Sequence, residues 1–196
     1  MSKAKHSHLQ IQSLCEGAIL LGLAIVLNYL SKMIFANMPQ GGSISLGMFP
    51  LLLYIHRWGV GKGLLLGFCY GLLDMLIDGG YAWGWQSMLL DYLVAYTALG
   101  VGGFFRGKDW GIFPCVAIGC LGRFAVHYVS GITLYRILVP TAVEGLESLG
   151  AIANAHVYSL LYNGVYMLPN TVIALVLAGL LWTPMRKYFA GHDLVR

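Results

Sequence analysis

The chain has 196 residues, of which 58% are hydrophobic and only 10% are charged, and its mean hydropathy is +0.73. A soluble domain carries about a quarter charged residues, so this composition excludes an ordinary water-soluble protein. The few charges lie in short clusters between long apolar stretches. This pattern is typical of a protein that crosses the membrane several times.

Six candidate transmembrane helices follow one another along the chain, if about 20 apolar residues are taken as one span. They run over 14–34, 44–57, 60–78, 86–105, 112–135 and 157–182. The second is short and contains Phe49-Pro50, so we expect it to be kinked or to begin in the preceding Gly-rich turn. No soluble domain fits between two spans and no internal repeat is visible. Residues 1–196 are therefore predicted to form a single all-α membrane bundle.

The distribution of lysine and arginine predicts that both termini are cytoplasmic. In that orientation the cytoplasmic side receives Lys3, Lys5, Arg57, Lys62, Arg106, Lys108, Arg186, Lys187 and Arg196. The outer side, with loops 35–43, 79–85 and 136–156, receives only Lys32 and Arg136, while Arg123 lies within the fifth span. This bias follows the positive-inside rule. It explains the net charge of +4, so we expect a protein embedded in membrane lipid that does not bind nucleic acid.

Several functional signatures are missing from the sequence. No A-x-A-like cleavage site follows the first apolar run, so we interpret the polar start MSKAKHSHLQIQ as a short cytoplasmic tail. The cysteines lack metal-ligand spacing, and we expect them to act as small hydrophobic side chains, with no metal and no cofactor. They are Cys15, Cys69, Cys115 and Cys120. No Walker A pattern is present, so the chain is not predicted to hydrolyse ATP.

Polar side chains on three predicted helices lie at a similar depth in the outer half of the bundle. At a rise of 1.5 Å per residue, Asp91 is about 7 Å inside its span, Asn163 about 9 Å and His127 about 12 Å. Ionisable residues at such depth normally face a cavity or a partner and mark a functional site. The alternative is a hydrogen-bond cluster that only joins helices, although joining rarely needs a charge where serine or threonine would serve.

Aromatic residues surround this polar layer. The candidates are Tyr81 in the outer loop 79–85, Tyr135 at the end of the fifth span, and Tyr158 and Tyr162 at the start of the sixth. Gly131 lies midway between His127 and Tyr135, where it would let a flat ring approach the backbone. Trp85 and Tyr188 fit an interfacial aromatic belt instead. An acid among aromatic rings favours a planar, cationic, nitrogen-rich ligand, with about 0.5–2 kcal/mol per cation–π contact.

Three sequence motifs resemble the thiamine-binding S components of energy-coupling factor (ECF) transporters. They are LLDYLVAYTALGVGGFF, GRFAVHYVSGITLY and VYSLLYNGVYMLPN, and GGSISLGMFPLLLYIHRWG at the second span fits the same family. The resemblance covers nearly the whole chain. It implies a six-helix membrane protein that captures thiamine from outside and is not an enzyme. It also implies two kinds of partner, a transmembrane coupling protein and two cytoplasmic ATPases.

The resemblance further implies which residues contact thiamine. They are Tyr81, Asp91, Tyr92, His127, Gly131, Tyr135, Tyr158 and Asn163. In the first span, Ala18 and Gly22 lie four residues apart, a small-xxx-small pattern that permits close approach of another helix. The resemblance implies that this face of the first helix docks on the coupling protein.

Other functions remain open from the residues alone. The nearest is an S component for another vitamin or for a thiamine precursor. An intramembrane serine protease would use Ser130 and His156, but the G-x-S-x-G context is missing. A secondary transporter usually shows paired repeats or broken helices, and neither is visible. A structural membrane protein would not need the polar layer of Asp91, His127 and Asn163.

Overall fold

The computed structural model consists of helices joined by turns and irregular segments in the part of the chain that it describes. It describes residues 3–35, 42–80, 82, 84–138 and 155–195, with side chains for 7–35, 42–80, 82, 84–133 and 155–194. The helices are α1 Lys3–Ile34, α2 Met48–Trp58, α3 Val60–Ile77, α4 Trp85–Phe105, α5 Ile112–Leu138 and α6 Ala155–Phe189. A 3₁₀ turn, His192–Val195, follows α6. No strand occurs in these ranges, which confirms the all-α prediction for them.

Five of the helices are long and apolar enough to cross a membrane, so the chain is a multi-pass membrane protein. These candidate spans are Ser7–Ile34, Val60–Ile77, Trp85–Phe105, Ile112–Thr133 and Ala155–Leu194. Helix α2 has only 11 residues. At 1.5 Å per residue it is about 17 Å long, roughly half of the ~30 Å hydrocarbon core. The sixth crossing and the cytoplasmic position of both termini therefore stay predictions.

The short helix α2 forms the centre of the bundle. All of its residues are buried, and Leu51, Leu52 and Ile55 have no exposed surface. A helix that is apolar on every side belongs inside a protein. It begins directly after Gly47, and Pro50 lies in its first turn, where an N–H group would have no partner within the helix. The helix thus begins after the Gly-rich turn, one of the two expectations for this span, and Pro50 does not interrupt it.

Glycines bring the backbones of α3 and α4 into contact. Gly67 and Gly71 lie four residues apart on α3, and both are buried. A Cβ atom at either position would collide with the backbone of α4, at Gly71 with the carbonyl oxygen of Tyr92. Small residues allow this close helix packing inside membranes. As a result Asp74 of α3 and Asp91 of α4 are brought to the same region of the bundle.

Helix α4 changes its winding along its length. Trp85–Met88 and Ala95–Ala98 are α-helical, Leu89–Val94 is π-helical and Leu99–Phe105 is 3₁₀. A π-helical turn inserted in an α-helix often marks a functional site. This one holds Asp91, so the backbone is irregular where the sequence predicted a functional acid.

An ionic cluster joins three parts of the chain at the C-terminal end of α2. The side chain of Arg57 is fully buried, and its Nε donates to Glu16 of α1 at 2.7 Å. Its Nη1 donates to Asp193 at 2.7 Å and to the carbonyl oxygen of Tyr188 at 2.9 Å. Trp58 Nε1 also donates to Glu16, at 2.8 Å. Arg57 was predicted among the cytoplasmic cations at the end of the second span, and the structure places it within α2, buried and paired with two carboxylates.

Candidate ligand-binding site

A cavity opens between five helices near the segment that leads into α2. Its empty volume, including the space open to solvent, is about 800 Å³. It is lined by Lys32, Gly42, Ser43, Asp74, Asp78, Ala82, Ser87, Asp91, Tyr92, Tyr96, Arg123, His127, Ser130, Gly131, Tyr158, Tyr162, Asn163 and Tyr166. Six of the eight predicted ligand contacts are in this lining. Tyr81 lies outside the described residues, and Tyr135 lies in α5 with its side chain outside the described part.

Three hydrogen bonds converge on the carboxylate of Asp91. Its Oδ2 accepts from Ser87 one turn earlier at 2.7 Å and from Ser130 of α5 at 2.8 Å. Its Oδ1 is hydrogen bonded to His127 Nδ1 at 2.9 Å. A carboxylate has about four lone-pair sites, so three donors leave one acceptor position open. Asp91 is therefore held in place, and its side chain is still 26% exposed toward the cavity.

Asn163 completes the polar layer from α6. Its Nδ2 donates to the backbone carbonyl of His127 at 3.1 Å, and its Oδ1 accepts from Tyr166 at 2.6 Å. The structure thus brings Asp91, His127 and Asn163 together, as their predicted depths indicated. Both polar ends of Asn163 already contact protein atoms, so this residue fits the alternative of a hydrogen-bond cluster that joins helices. Asp91 does not fit that alternative, because it keeps an acceptor position free.

Two buried charged residues of the cavity, Arg123 and Asp74, were not among the predicted ligand contacts. Arg123 donates from Nε to His127 Nε2 at 3.2 Å, and its guanidinium lies 3.9 Å from the centre of the Tyr96 ring. Asp74 accepts from Asn28 of α1 at 2.8 Å. Both are ionisable residues within predicted spans, and that position alone indicates a functional site. Arg123 also precedes His127 by four residues, which puts both on one face of α5.

Among the described residues, the cavity lining contains more acidic than basic side chains. Asp74, Asp78 and Asp91 line it against Lys32 and Arg123. At its rim Lys32 donates to Asp78 at 2.6 Å, which joins the end of α1 to the end of α3. With a neutral histidine the lining carries one excess negative charge, which favours a cationic ligand. Among the described side chains no group of three or more His, Cys, Asp and Glu is placed to hold a metal ion.

Aromatic rings and a close helix contact form the α6 side of the cavity. The rings of Tyr158 and Tyr162 are stacked, with centroids 5.9 Å apart. A Cβ atom at Gly131 of α5 would collide with the hydroxyl of Ser159 and lie 3.0 Å from Asn163 Nδ2. Packing between α5 and α6 therefore requires the glycine even without a ligand. Approach of a flat ring to Gly131 stays a prediction.

The residues considered for an intramembrane protease are not arranged as a catalytic pair. Ser130 is buried and donates its hydroxyl hydrogen to Asp91. His156 is exposed, and its Nδ1 is hydrogen bonded to the hydroxyl of Tyr128 at 2.9 Å. A nucleophilic serine needs a base within hydrogen-bond reach. The contact of Ser130 with Asp91 instead makes it part of the ligand cavity.

The two predicted docking residues lie on the outer surface of α1. Ala18 and Gly22 are both exposed, whereas Gly17, Ala24 and Asn28 are buried against the bundle. No described heavy atom lies within 4 Å of a Cβ atom built at Gly22. This small-residue face is therefore not used for packing within the described part of the chain.

A multi-pass helical bundle with a polar, net-negative cavity defines a membrane-embedded protein that binds a small molecule. Comparison with known proteins shows the family to which this membrane protein belongs. The family of the thiamine transporter protein (Thia_YuaJ) matches residues 14–190, and the chain belongs to this family. The resemblance to thiamine-specific S components is thereby confirmed, and the chain is a membrane protein of thiamine uptake and not an enzyme.

Individual relatives agree with this assignment. The chain is 34% identical over 186 residues to the thiamine transporter ThiT of Bacillus subtilis, covering 88% of this chain and 91% of that protein. It is 25% identical over 202 residues to ThiT of Lacticaseibacillus paracasei, covering 95% and 94%. A solved structure of ThiT from Listeria monocytogenes superposes with a TM-score of 0.75 at 23% identity, covering 92% of this chain and 98% of the other. The fold is therefore shared with that protein.

Proposed function

We propose that the chain is the high-affinity thiamine-binding subunit of an ECF-type vitamin uptake transporter and captures thiamine at the outer side of the membrane. The observation that carries this proposal is the carboxylate of Asp91, which is held by three donors and keeps an acceptor position open toward a cavity. The relatives of this chain are named thiamine transporters, which supports thiamine as the ligand.

The chemistry of thiamine matches the cavity. Thiamine joins a positively charged thiazolium ring to an aminopyrimidine ring, so it offers a cation, an amino donor and two flat faces. The excess negative charge supports the cation, and the free acceptor position of Asp91 suits the charge or the amino group. The rings of Tyr92 and Tyr158 are the proposed stacking partners, at about 0.5–2 kcal/mol per cation–π contact. His127 and Asn163 are proposed to contact the ligand as part of the cavity lining, where their polar atoms hold Asp91 and the helices in place.

We place the cavity on the outer side because the described cations concentrate at the other end of the bundle. Helix α2 begins beside the cavity and runs away from it, so the ends of α2, α4 and α6 and the beginnings of α3 and α5 lie opposite. The cations there are Arg57, Lys62, Arg106, Lys108, Arg186 and Lys187. At the cavity end Lys32 is paired with Asp78. The positive-inside rule then supports cytoplasmic termini, with α2 as the sixth crossing.

The exposed face of α1 supports a site for the coupling protein. Ala18 and Gly22 leave the backbone accessible on the surface, where a helix from another membrane protein packs most closely. We propose that the transmembrane coupling protein docks here and that two cytoplasmic ATPases supply the energy, since the chain carries no Walker A sequence.

The purified protein is expected to bind thiamine in detergent without ATP or partner proteins, because the cavity is formed within one chain. Nanomolar affinity corresponds to about −12 kcal/mol. Isothermal titration with thiamine, its phosphates and its precursors provides the measurement. Binding that requires the ATPase module would contradict the proposal. Tighter binding of a precursor or of another vitamin would support the rival S component instead.

Gly22→Leu is expected to reduce thiamine uptake by cells while changing the free energy of thiamine binding by less than about 0.5 kcal/mol, as is usual for a surface substitution. The leucine would thicken the proposed docking face far from the cavity. Gly179→Leu is the matched control, because Gly179 is an exposed glycine of α6 and no described heavy atom lies within 4 Å of its added Cβ. Joint loss of binding and uptake in Gly22→Leu would show that Gly22 supports the bundle rather than docking.

A further inference from the structure

Arg123 and His127 are stacked one turn apart on α5, and both are buried at the cavity, at 9% and 6% exposure. Arg123 Nε lies 3.2 Å from His127 Nε2, with its N–H group directed at that nitrogen. A guanidinium group has only donors and cannot be deprotonated in a protein. The ring nitrogen Nε2 must therefore accept this hydrogen bond, and it carries no proton.

The second ring nitrogen of His127 faces the acid. Nδ1 lies 2.9 Å from Asp91 Oδ1. An ionised carboxylate can only accept, so the hydrogen of this bond belongs to Nδ1. We infer that Arg123 is a positioning residue that holds His127 as the neutral tautomer protonated on Nδ1, so that Asp91 keeps its full negative charge for a cationic ligand. The value of that charge for thiamine rests on the function proposed above.

The consequence for the cavity is electrostatic. A proton on Nε2 would convert His127 to an imidazolium, which would cancel the charge of Asp91 at the place where a cation binds. The groups that face the imidazole are Asp91 of α4, Arg123 of α5 and the ring of Tyr166 of α6, whose centroid lies 5.8 Å away. The positive charge of Arg123 is itself directed at the face of the Tyr96 ring, 3.9 Å from its centroid.

Nitrogen NMR of the ligand-free protein tests the tautomer without any substitution at the site. The chain has six histidines, and the His127 resonances are identified as those missing from His127→Gln in a ¹⁵N-histidine-labelled sample. We expect a protonated Nδ1 and a bare Nε2 in wild-type protein at neutral pH. A proton on Nε2, alone or together with Nδ1, would overturn the inference.

Two substitutions of Arg123 separate positioning from mere packing. Arg123→Met removes every donor, and it is expected to give a His127 signal with Nε2 protonated and to weaken thiamine by about 10- to 100-fold, the range known for removal of a group that orients a metal-binding histidine. Arg123→Lys retains a donor-only group, and it is expected to keep the tautomer and to bind within a few-fold of wild type. A folded Arg123→Met protein with an unchanged tautomer and unchanged affinity would refute the positioning role.

The two proposals fail in different ways. The tautomer is measured without thiamine, so a wrong tautomer in a protein that binds thiamine normally refutes only the role of Arg123. The expected tautomer in a protein that does not bind thiamine refutes only the proposed function. If Arg123→Met does not fold, the wild-type spectrum and Arg123→Lys still decide the question.

Discussion

Asp91→Asn is expected to weaken thiamine binding by about 2–5 kcal/mol, the usual cost of removing one partner of a buried charge pair. The fold should survive, because the hydroxyl groups of Ser87 and Ser130 can rotate to accept from the new amide and His127 can still donate to its oxygen. The ligand-free variant should be at least as stable as wild type. Translocon scales put an aspartate at about +2.5 to +3.5 kcal/mol in the middle of a membrane helix.

The melting temperature and the thiamine affinity of this variant, measured together, distinguish a binding acid from a structural one. Asp78→Asn is the matched control, because it removes the same charge at the cavity rim, where Asp78 is exposed and paired with Lys32. Its expected effect on affinity is below about 1 kcal/mol. A stable Asp91→Asn protein with unimpaired binding would refute the site. A lowered melting temperature with normal affinity of the folded fraction would indicate a structural acid.

Glu16→Ala is expected to lower the free energy of unfolding by about 3–5 kcal/mol, because it removes the less exposed of the two carboxylates that pair with the fully buried Arg57. Glu16 also accepts from Gln12, Trp58 and Tyr188, so four side chains lose a bond at once. The affinity of the folded fraction for thiamine should not change, since this cluster lies at the end of α2 remote from the cavity.

Denaturant unfolding of the detergent-solubilised protein provides the measurement for Glu16→Ala. Asp193→Ala is its control, because Asp193 contacts the same guanidinium with a side chain that is 50% exposed. Because solvent screens this exposed pair, Asp193→Ala should lower the free energy of unfolding by at most about 1 kcal/mol. Equal and small losses in the two variants would show that Arg57 does not depend on a buried partner.

Composition was sufficient to predict the membrane class and the longest helices, because a bilayer selects for long apolar runs. The fourth span was predicted at 86–105, and α4 is Trp85–Phe105. The sixth was predicted at 157–182, yet α6 continues to Phe189. Hydropathy indicates where the lipid core of the membrane ends. A helix can continue beyond that point, because its backbone hydrogen bonds also form at polar residues such as Arg186 and Lys187.

The central position of α2 was not predicted, since a run buried in protein and a run exposed to lipid have similar composition. Only its shortness distinguished it, because 11 helical residues cover about half of the hydrocarbon core and the rest of a crossing must lie in the segment that leads into α2. The structure shows that α2 is the centre of the bundle, because every one of its residues is buried.

The sequence predicted how deep the site residues lie in the membrane, but not how each helix is rotated about its own axis. A fixed rise per residue makes depth readable, so Asp91, His127 and Asn163 were placed in one layer, and their side chains or backbones are in contact. The direction in which each helix faces depends on tertiary packing. For that reason the bonds of Arg123 and Ser130 to this layer were found only in the structure.

The most direct test is a structure of the purified protein with thiamine bound. We expect thiamine in the cavity between α3, α4, α5 and α6, with its amino group or its cationic ring against Asp91. An amino nitrogen in that contact should lie about 2.7–3.2 Å from a carboxylate oxygen. Thiamine bound elsewhere on the protein, or bound in the cavity without contact to Asp91, would contradict the site described here.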